Sequence, residues 1–107
     1  MSKEVNDASF KSEILESQGV SLVDFWATWC GPCRALAPTI DALDQAYAGK
    51  VKVCKMDVDA NPETPSQFAI KGIPTVIIFK NGKEFKTIVG AQSKSEYENV
   101  LNSALAN

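Results

Sequence analysis

Val20-Ser21-Leu22-Val23-Asp24-Phe25-Trp26-Ala27-Thr28-Trp29-Cys30-Gly31-Pro32-Cys33 is the stretch whose reading decides the fold. Its first seven residues are too apolar on both faces of a pleat for a half-exposed strand, so they predict a strand buried on both sides. Beyond the cysteines, Leu36, Ile40, Leu43 and Tyr47 recur at spacings of four, three and four, the stripe of one helical face, which Gly49 closes. Pro38 falls inside that stripe. It removes one backbone bond and is expected to kink the helix rather than end it, because the periodicity continues past it. Cys30 and Cys33 therefore stand where a buried strand ends and a long helix begins.

That position carries chemistry. Unpaired N–H groups and the positive end of the helix dipole stabilise an anion, so Cys30 is expected to ionise more readily than a free thiol. Thiolate, not thiol, attacks disulfides. Two intervening residues put both sulfurs on the first helical turn, close enough to bond when oxidised. Gly31 keeps bulk low where a protein substrate approaches, and Pro32 costs little near a helix start.

Working outward, Asp7 or Ser9 is expected to cap a first helix with Phe10, Ile14 and Leu15 on one face, ending at Gly19. A short strand over 3–5 precedes it. Residues 51–58 read as a strand. Thr64-Pro65-Ser66-Gln67 reads as a capping box opening a short helix that stops at Gly72. Residues 75–80 and 83–89 are joined by Asn81-Gly82, the strongest short hairpin signal. Ser93-Lys94-Ser95-Glu96 is a second capping box, starting a helix with Tyr97, Val100, Leu101 and Leu105 inward. Strand–helix–strand units imply parallel pairing, whereas the hairpin is antiparallel. The fold class expected is α/β, a mixed sheet with helices on both faces, forming one domain over residues 1–107.

Composition narrows the function. The chain has 107 residues, 45% hydrophobic and 22% charged, enough to bury a core without disulfide staples. A net charge of −2 with no block of like charge argues against nucleic acid, and no apolar run approaches the ~18 residues of a membrane span. The opening Met1-Ser2-Lys3-Glu4-Val5 has no apolar h-region, so a cytoplasmic location is expected. The three cysteines are sparse and odd in number, unlike a secreted disulfide framework. Zinc or iron–sulfur ligation fails on count, because histidine is absent and only Cys54 remains. A redox-active Cys30–Cys33 pair with no metal is left.

Phe25-Trp26-Ala27-Thr28-Trp29-Cys30-Gly31-Pro32-Cys33-Arg34, then Pro38, Lys55, Gly72-Ile73-Pro74-Thr75 and Lys80-Asn81-Gly82, in this order, resemble the thioredoxin family over nearly the whole chain. The resemblance implies a five-stranded mixed sheet flanked by four helices. It implies that Cys30 is a solvent-facing nucleophile and that Cys33, more buried, resolves the mixed disulfide. It maps a buried acid onto Asp24 and a nearby lysine onto Lys55. Desolvation raises such an acid's pKa and suits it to exchanging a proton with Cys33; a structural pair with Lys55 is the other reading. A cis Ile73-Pro74 bond is implied, with the Ile73 backbone offered to an extended substrate segment. Trp29, Gly31, Pro32, Ile73, Pro74, Gly90 and Ala91 would form a shallow apolar contact surface.

Trp26 reads as surface or core packing. Arg34 stands where many relatives carry lysine and keeps the charge. Cys54 reads as a small buried residue, with a regulatory thiol as the lesser alternative.

The implied activity is reduction of protein disulfides by a monomer that needs no bound cofactor. Its implied partners are a thioredoxin reductase and clients of the ribonucleotide reductase, peroxiredoxin and methionine sulfoxide reductase types. Two alternatives stay open: a disulfide oxidase or isomerase on the same fold, and a redox-independent binding module. Gly31-Pro32, where oxidants typically carry histidine, favours the reductant.

Overall fold

In a computed structural model describing residues 2–106, five strands form one mixed sheet in the order β1-β3-β2-β4-β5. They are β1 (Lys3–Glu4), β2 (Val20–Trp26), β3 (Val51–Asp57), β4 (Thr75–Lys80) and β5 (Lys83–Val89). The α-helices among the described residues are α1 (Asp7–Phe10), α2 (Gly31–Ala46), α3 (Glu63–Gln67) and α4 (Lys94–Leu105). β2 pairs in parallel with β3 and antiparallel with β4, and β4–β5 is the hairpin read from Asn81-Gly82. Asn81 and Gly82 sit at φ 52° and 80°, the left-handed pair a two-residue hairpin turn demands. A Cβ on Gly82 would also collide with the Leu15 carbonyl oxygen.

Period-two alternation sorts β2 between two cores. Val20 and Leu22 join Leu36, Ile40, Leu43, Tyr97 and Leu101 under α2 and α4. Val23 and Phe25 join Phe10, Ile14, Cys54 and Phe79 on the opposite face. Asp24, two residues beyond Leu22, therefore points to the α2 side.

The ends of the helices depart from the local reading. The cap of α1 is Asn6, whose side chain accepts from the Ser9 N–H while the Ser9 hydroxyl accepts from the Asn6 N–H. After Phe10 the chain widens into a π-helical turn, Lys11–Leu15, with Glu16 N–H bonded to the Lys11 carbonyl. That wider turn keeps Phe10 and Ile14 buried but leaves Leu15 exposed, contrary to the stripe expected. Regular helix thus stops well before Gly19. On α4 Tyr97, Leu101 and Ala104 are buried and Val100 packs half-buried against the same core, whereas Leu105 faces out because it falls one residue past the four–three spacing. α2 runs unbroken through Pro38 and ends at Ala46, short of Gly49.

α3 is the main correction. Thr64 is not its cap; the helix starts at Glu63, and Asp7 from α1 caps it across the fold. The Asp7 carboxylate accepts from the Glu63 N–H (3.1 Å), the Thr64 N–H (2.9 Å) and the Thr64 hydroxyl (2.7 Å). Asn61 Oδ1 accepts the Asp7 N–H in return. The short helix ends at Gln67, where Ala69 at φ 54° turns the chain before Gly72 is reached. Phe68 then stacks edge-to-face on Phe10 and Phe79, with centroids 5.5–5.6 Å apart.

Desolvation opposes ionisation of Asp7, but the bonds from Thr64 and Glu63 outweigh it and hold its pKa below 3.8. A carboxyl whose folded pKa is depressed stabilises the fold above its ordinary pKa and loses that contribution as pH falls through the folded value. Asp7→Ala should therefore cost about 1–2 kcal/mol at pH 7 in urea unfolding, through the lost cap. The difference from wild type should shrink below about pH 4.

Candidate active site

Cys30 is the N-cap of α2, and its sulfur accepts the Cys33 N–H at 3.2 Å. The N-terminus of a helix aims its free amides outward, so Cys30 Sγ sits where negative charge is stabilised. Cys30 and Cys33 are joined as a disulfide with Cα atoms 5.2 Å apart, within the usual range for such a bond. Both residues are nearly covered, Cys30 at 4% exposure and Cys33 at 2%. Cys30 is thus less solvent-facing than the resemblance implied, because Trp26, Ala27, Val58 and Ile73 pack around the pair.

Asp24, which shares a cavity with Cys33, is 4% exposed, and among the described residues its Oδ1 has no hydrogen-bond partner. Burial pushes its carboxyl up to about 7, while the charge on Lys55 pulls it down. Lys55 is its register partner on β3, yet among the described residues no salt bridge joins them. The Lys55 ammonium lies instead 5.5 Å from the centre of the Trp26 ring. The structural pair weighed from sequence is therefore a longer-range attraction. Asp24, Cys33, Lys55, Trp26 and Ile40 line a cavity of about 90 Å³ between β2 and α2. Water needs roughly 10–15 Å³ of such volume, so there is room for a short chain of it.

Across the disulfide, the Ile73-Pro74 peptide is cis, and the Ile73 carbonyl oxygen lies 3.9 Å from Cys30 Sγ. β4 begins only at Thr75, so the Ile73 backbone stands outside that strand. Gly90 N–H donates to the Pro74 carbonyl at 2.8 Å and brings residues 90–91 alongside. Gly31, Pro32 and Ala91 are exposed, Gly90 and Ile73 half-buried. Pro74 is buried beneath them rather than part of the exposed face.

Trp29, 66% exposed, is held by its indole N–H, which donates to Asp59 at 2.7 Å. With Val58, Pro65, Ile70 and Ile73 it lines a groove of about 300 Å³. Val58, Asp59 and the exposed Val89 at the end of β5 were not singled out from sequence. Val89 adjoins Gly90-Ala91, a signal that was available; Asp59 lies 30 residues from Trp29 and left none. Arg34 Nη1 donates to the Thr28 carbonyl at 2.8 Å. Cys54 is free, fully buried and pushed up to about 11 by burial, which makes it an inert packing residue at neutral pH.

A helix-capping cysteine pair, set over a desolvated acid and beside a cis-proline on a helix-flanked mixed sheet, defines a dithiol–disulfide oxidoreductase. The thioredoxin family model matches residues 1–103. The chain is 49% identical to a thioredoxin of Rickettsia conorii over 98% of this chain and all of that protein. It is 50% identical to one of Synechocystis over 95% of each, and 46% identical to one of Pseudomonas aeruginosa over 92% of each. The chain belongs to the thioredoxin family. It is a protein-disulfide reductase whose partners are, in general, disulfide-bearing proteins and a thioredoxin reductase.

The raised pKa of Asp24 carries a stability cost. Between its ordinary 3.8 and about 7 the unfolded chain loses the proton first, so folding is progressively disfavoured as pH rises. At about 1.4 kcal/mol per pH unit, the cost reaches at most about 4 kcal/mol and levels off above pH 7. Asp24→Asn should be more stable than wild type in urea melts at pH 8, with the gain falling towards zero at pH 4.

Proposed function

We propose that this chain is a general reductant of protein disulfides in the cytoplasm, and that Asp24 manages the proton of Cys33. The observation that carries the reading is the Cys30–Cys33 disulfide at the head of α2, with Cys33 sharing a cavity with a buried carboxyl poised near neutrality. In the reduced form Cys30 is the thiolate, stabilised by the Cys33 N–H and the helix dipole. It attacks one sulfur of the client disulfide; that bond breaks, the other client sulfur leaves as thiolate and takes a proton from solvent. Asp24, ionised, accepts the Cys33 proton across the cavity that both residues line. Cys33 then attacks Cys30 Sγ, the mixed disulfide breaks, and the second client thiol departs, leaving the oxidised pair. Two electrons pass from the dithiol to the client, so the cycle needs no bound cofactor. Lys55, by its charge, keeps Asp24 from staying protonated too far above neutrality.

A client is held by the face that Trp29, Gly31, Pro32, Ile73, Gly90 and Ala91 present, with Pro74 as its buried support. Backbone groups at Ile73, outside β4, suit an extended segment and place few demands on its side chains. Such tolerance fits clients as unlike as ribonucleotide reductase, peroxiredoxins and methionine sulfoxide reductases. Recharging is by a thioredoxin reductase. No feature of the site favours an oxidase, an isomerase or a redox-independent binder.

Insulin reduction followed by turbidity tests the reading. With dithiothreitol as electron source the wild-type chain should accelerate precipitation, and Cys30→Ser should fall to the rate of dithiothreitol alone. Cys33→Ser should accumulate a mixed disulfide with insulin that is visible on non-reducing gels. A further check is iodoacetamide alkylation of the reduced protein against pH, in which the more reactive thiol should titrate well below the ~8.5 of free cysteine. A value at or above that figure would remove the basis of the catalytic account.

A further inference from the structure

We infer that Tyr97 is a positioning residue for client docking, because its buried hydroxyl fastens the loop over residues 90–92 against the redox site. The inference rests on the docking face proposed above. Tyr97 lies in the first turns of α4 at 0% exposure, with its ring in the core that α2 and α4 share with the sheet. A phenol in that position brings a polar atom into an apolar core, a cost unless the oxygen finds a partner. The partner is the Gln92 N–H, which donates to the Tyr97 hydroxyl at 3.1 Å.

Gln92 falls between the end of β5 at Val89 and Ser93, the N-cap of α4, so no strand or helix bond is available to its amide. The loop is thus tied at both ends. Gly90 N–H holds the Pro74 carbonyl, next to the Ile73 carbonyl that lies 3.9 Å from Cys30 Sγ, and Gln92 N–H holds Tyr97. Ala91, exposed, stands between the two ties. Gly90 has φ 84°, a conformation open to glycine at little cost, so it contributes little stiffness itself.

Without the Tyr97 oxygen, the Gln92 amide turns to water and residues 90–92 regain backbone freedom. A client must then order them again on docking, which weakens binding without touching the sulfurs. Among the described residues no hydrogen bond links Tyr97 to Cys30, Cys33 or Asp24. Burial, and in smaller part the charge of Asp24, raises the Tyr97 pKa, so a neutral phenol is what acts at pH 7.

Tyr97→Phe keeps the ring and removes only the oxygen. In insulin reduction with dithiothreitol, KM should rise about fivefold, the worth of one neutral hydrogen bond, while kcat holds. The rate with a small aromatic disulfide, too small to contact the loop, should match wild type, as should the pH profile of Cys30 alkylation. The Gln92 amide should exchange with deuterium faster than in wild type. An unchanged insulin KM, even with a lowered melting temperature, would overturn the inference and leave Tyr97 a core residue. So would a parallel fall in the small-disulfide rate, which would place the effect on the thiols. If wild type itself fails to reduce insulin, the proposed function fails and this role with it; normal wild-type turnover confines any failure to Tyr97.

Discussion

The constraint on which this molecule turns is that β2 is hydrogen-bonded along both edges and covered on both faces. A strand so placed has no water-facing side, and every residue along it must be compatible with an apolar core. Six of its seven residues are buried, and one of those six is a carboxylic acid. The sheet cannot relieve Asp24 by turning it over, since the other face of β2 is covered by a second apolar core. The acid therefore stays desolvated, at a cost in stability, and its proton becomes exchangeable near neutral pH.

Two opposite electrostatic environments thus sit on adjacent turns of chain. At the head of α2 the backbone favours the anionic form of Cys30; beneath it, the core disfavours the anionic form of Asp24. A dithiol needs one sulfur ionised to attack and the other protonated until its turn comes. Charge-stabilising and charge-opposing surroundings a few residues apart meet both needs, and they supply the basis for the proton role proposed for Asp24. Cys54 makes the contrast plain. It is chemically the same side chain, but inside the opposite core burial outweighs the pull of Lys52 and Lys3 and its thiol stays protonated.

The surface around the disulfide owes its shape to ties between distant segments. Asp7 caps α3, Phe68 stacks on Phe10 and Phe79, Asp59 holds Trp29, and the Pro74 carbonyl holds Gly90. A face held in this way loses little freedom when a partner arrives, and backbone groups together with small or apolar side chains ask little of the partner's sequence.

The regular elements were legible locally because periodicity and turn chemistry are local. The double-sided apolar run marked β2, Asn81-Gly82 marked the β4–β5 hairpin, and the four–three–four stripe marked α2. Cys30 and Cys33 were legible for the same reason, as a spacing set at a strand-to-helix junction. The ends of helices and the residues around the site were another matter. Thr64 had the pattern of a cap, but the helix starts one residue earlier, where an Asp7 carboxylate more than fifty residues away takes the Glu63 and Thr64 amides. Leu15 and Leu105 had the spacing for burial, yet a widened turn and a one-residue overrun left them outside. Sequence by itself determined which segments are strand or helix and which two sulfurs meet, since those depend on neighbours in the chain. Only the tertiary structure decided how far Asp24 is stripped of water, that Lys55 attracts it from a distance, that Asp59 holds Trp29 and that Tyr97 holds the Gln92 amide, because burial and hydrogen-bond competition depend on neighbours in space.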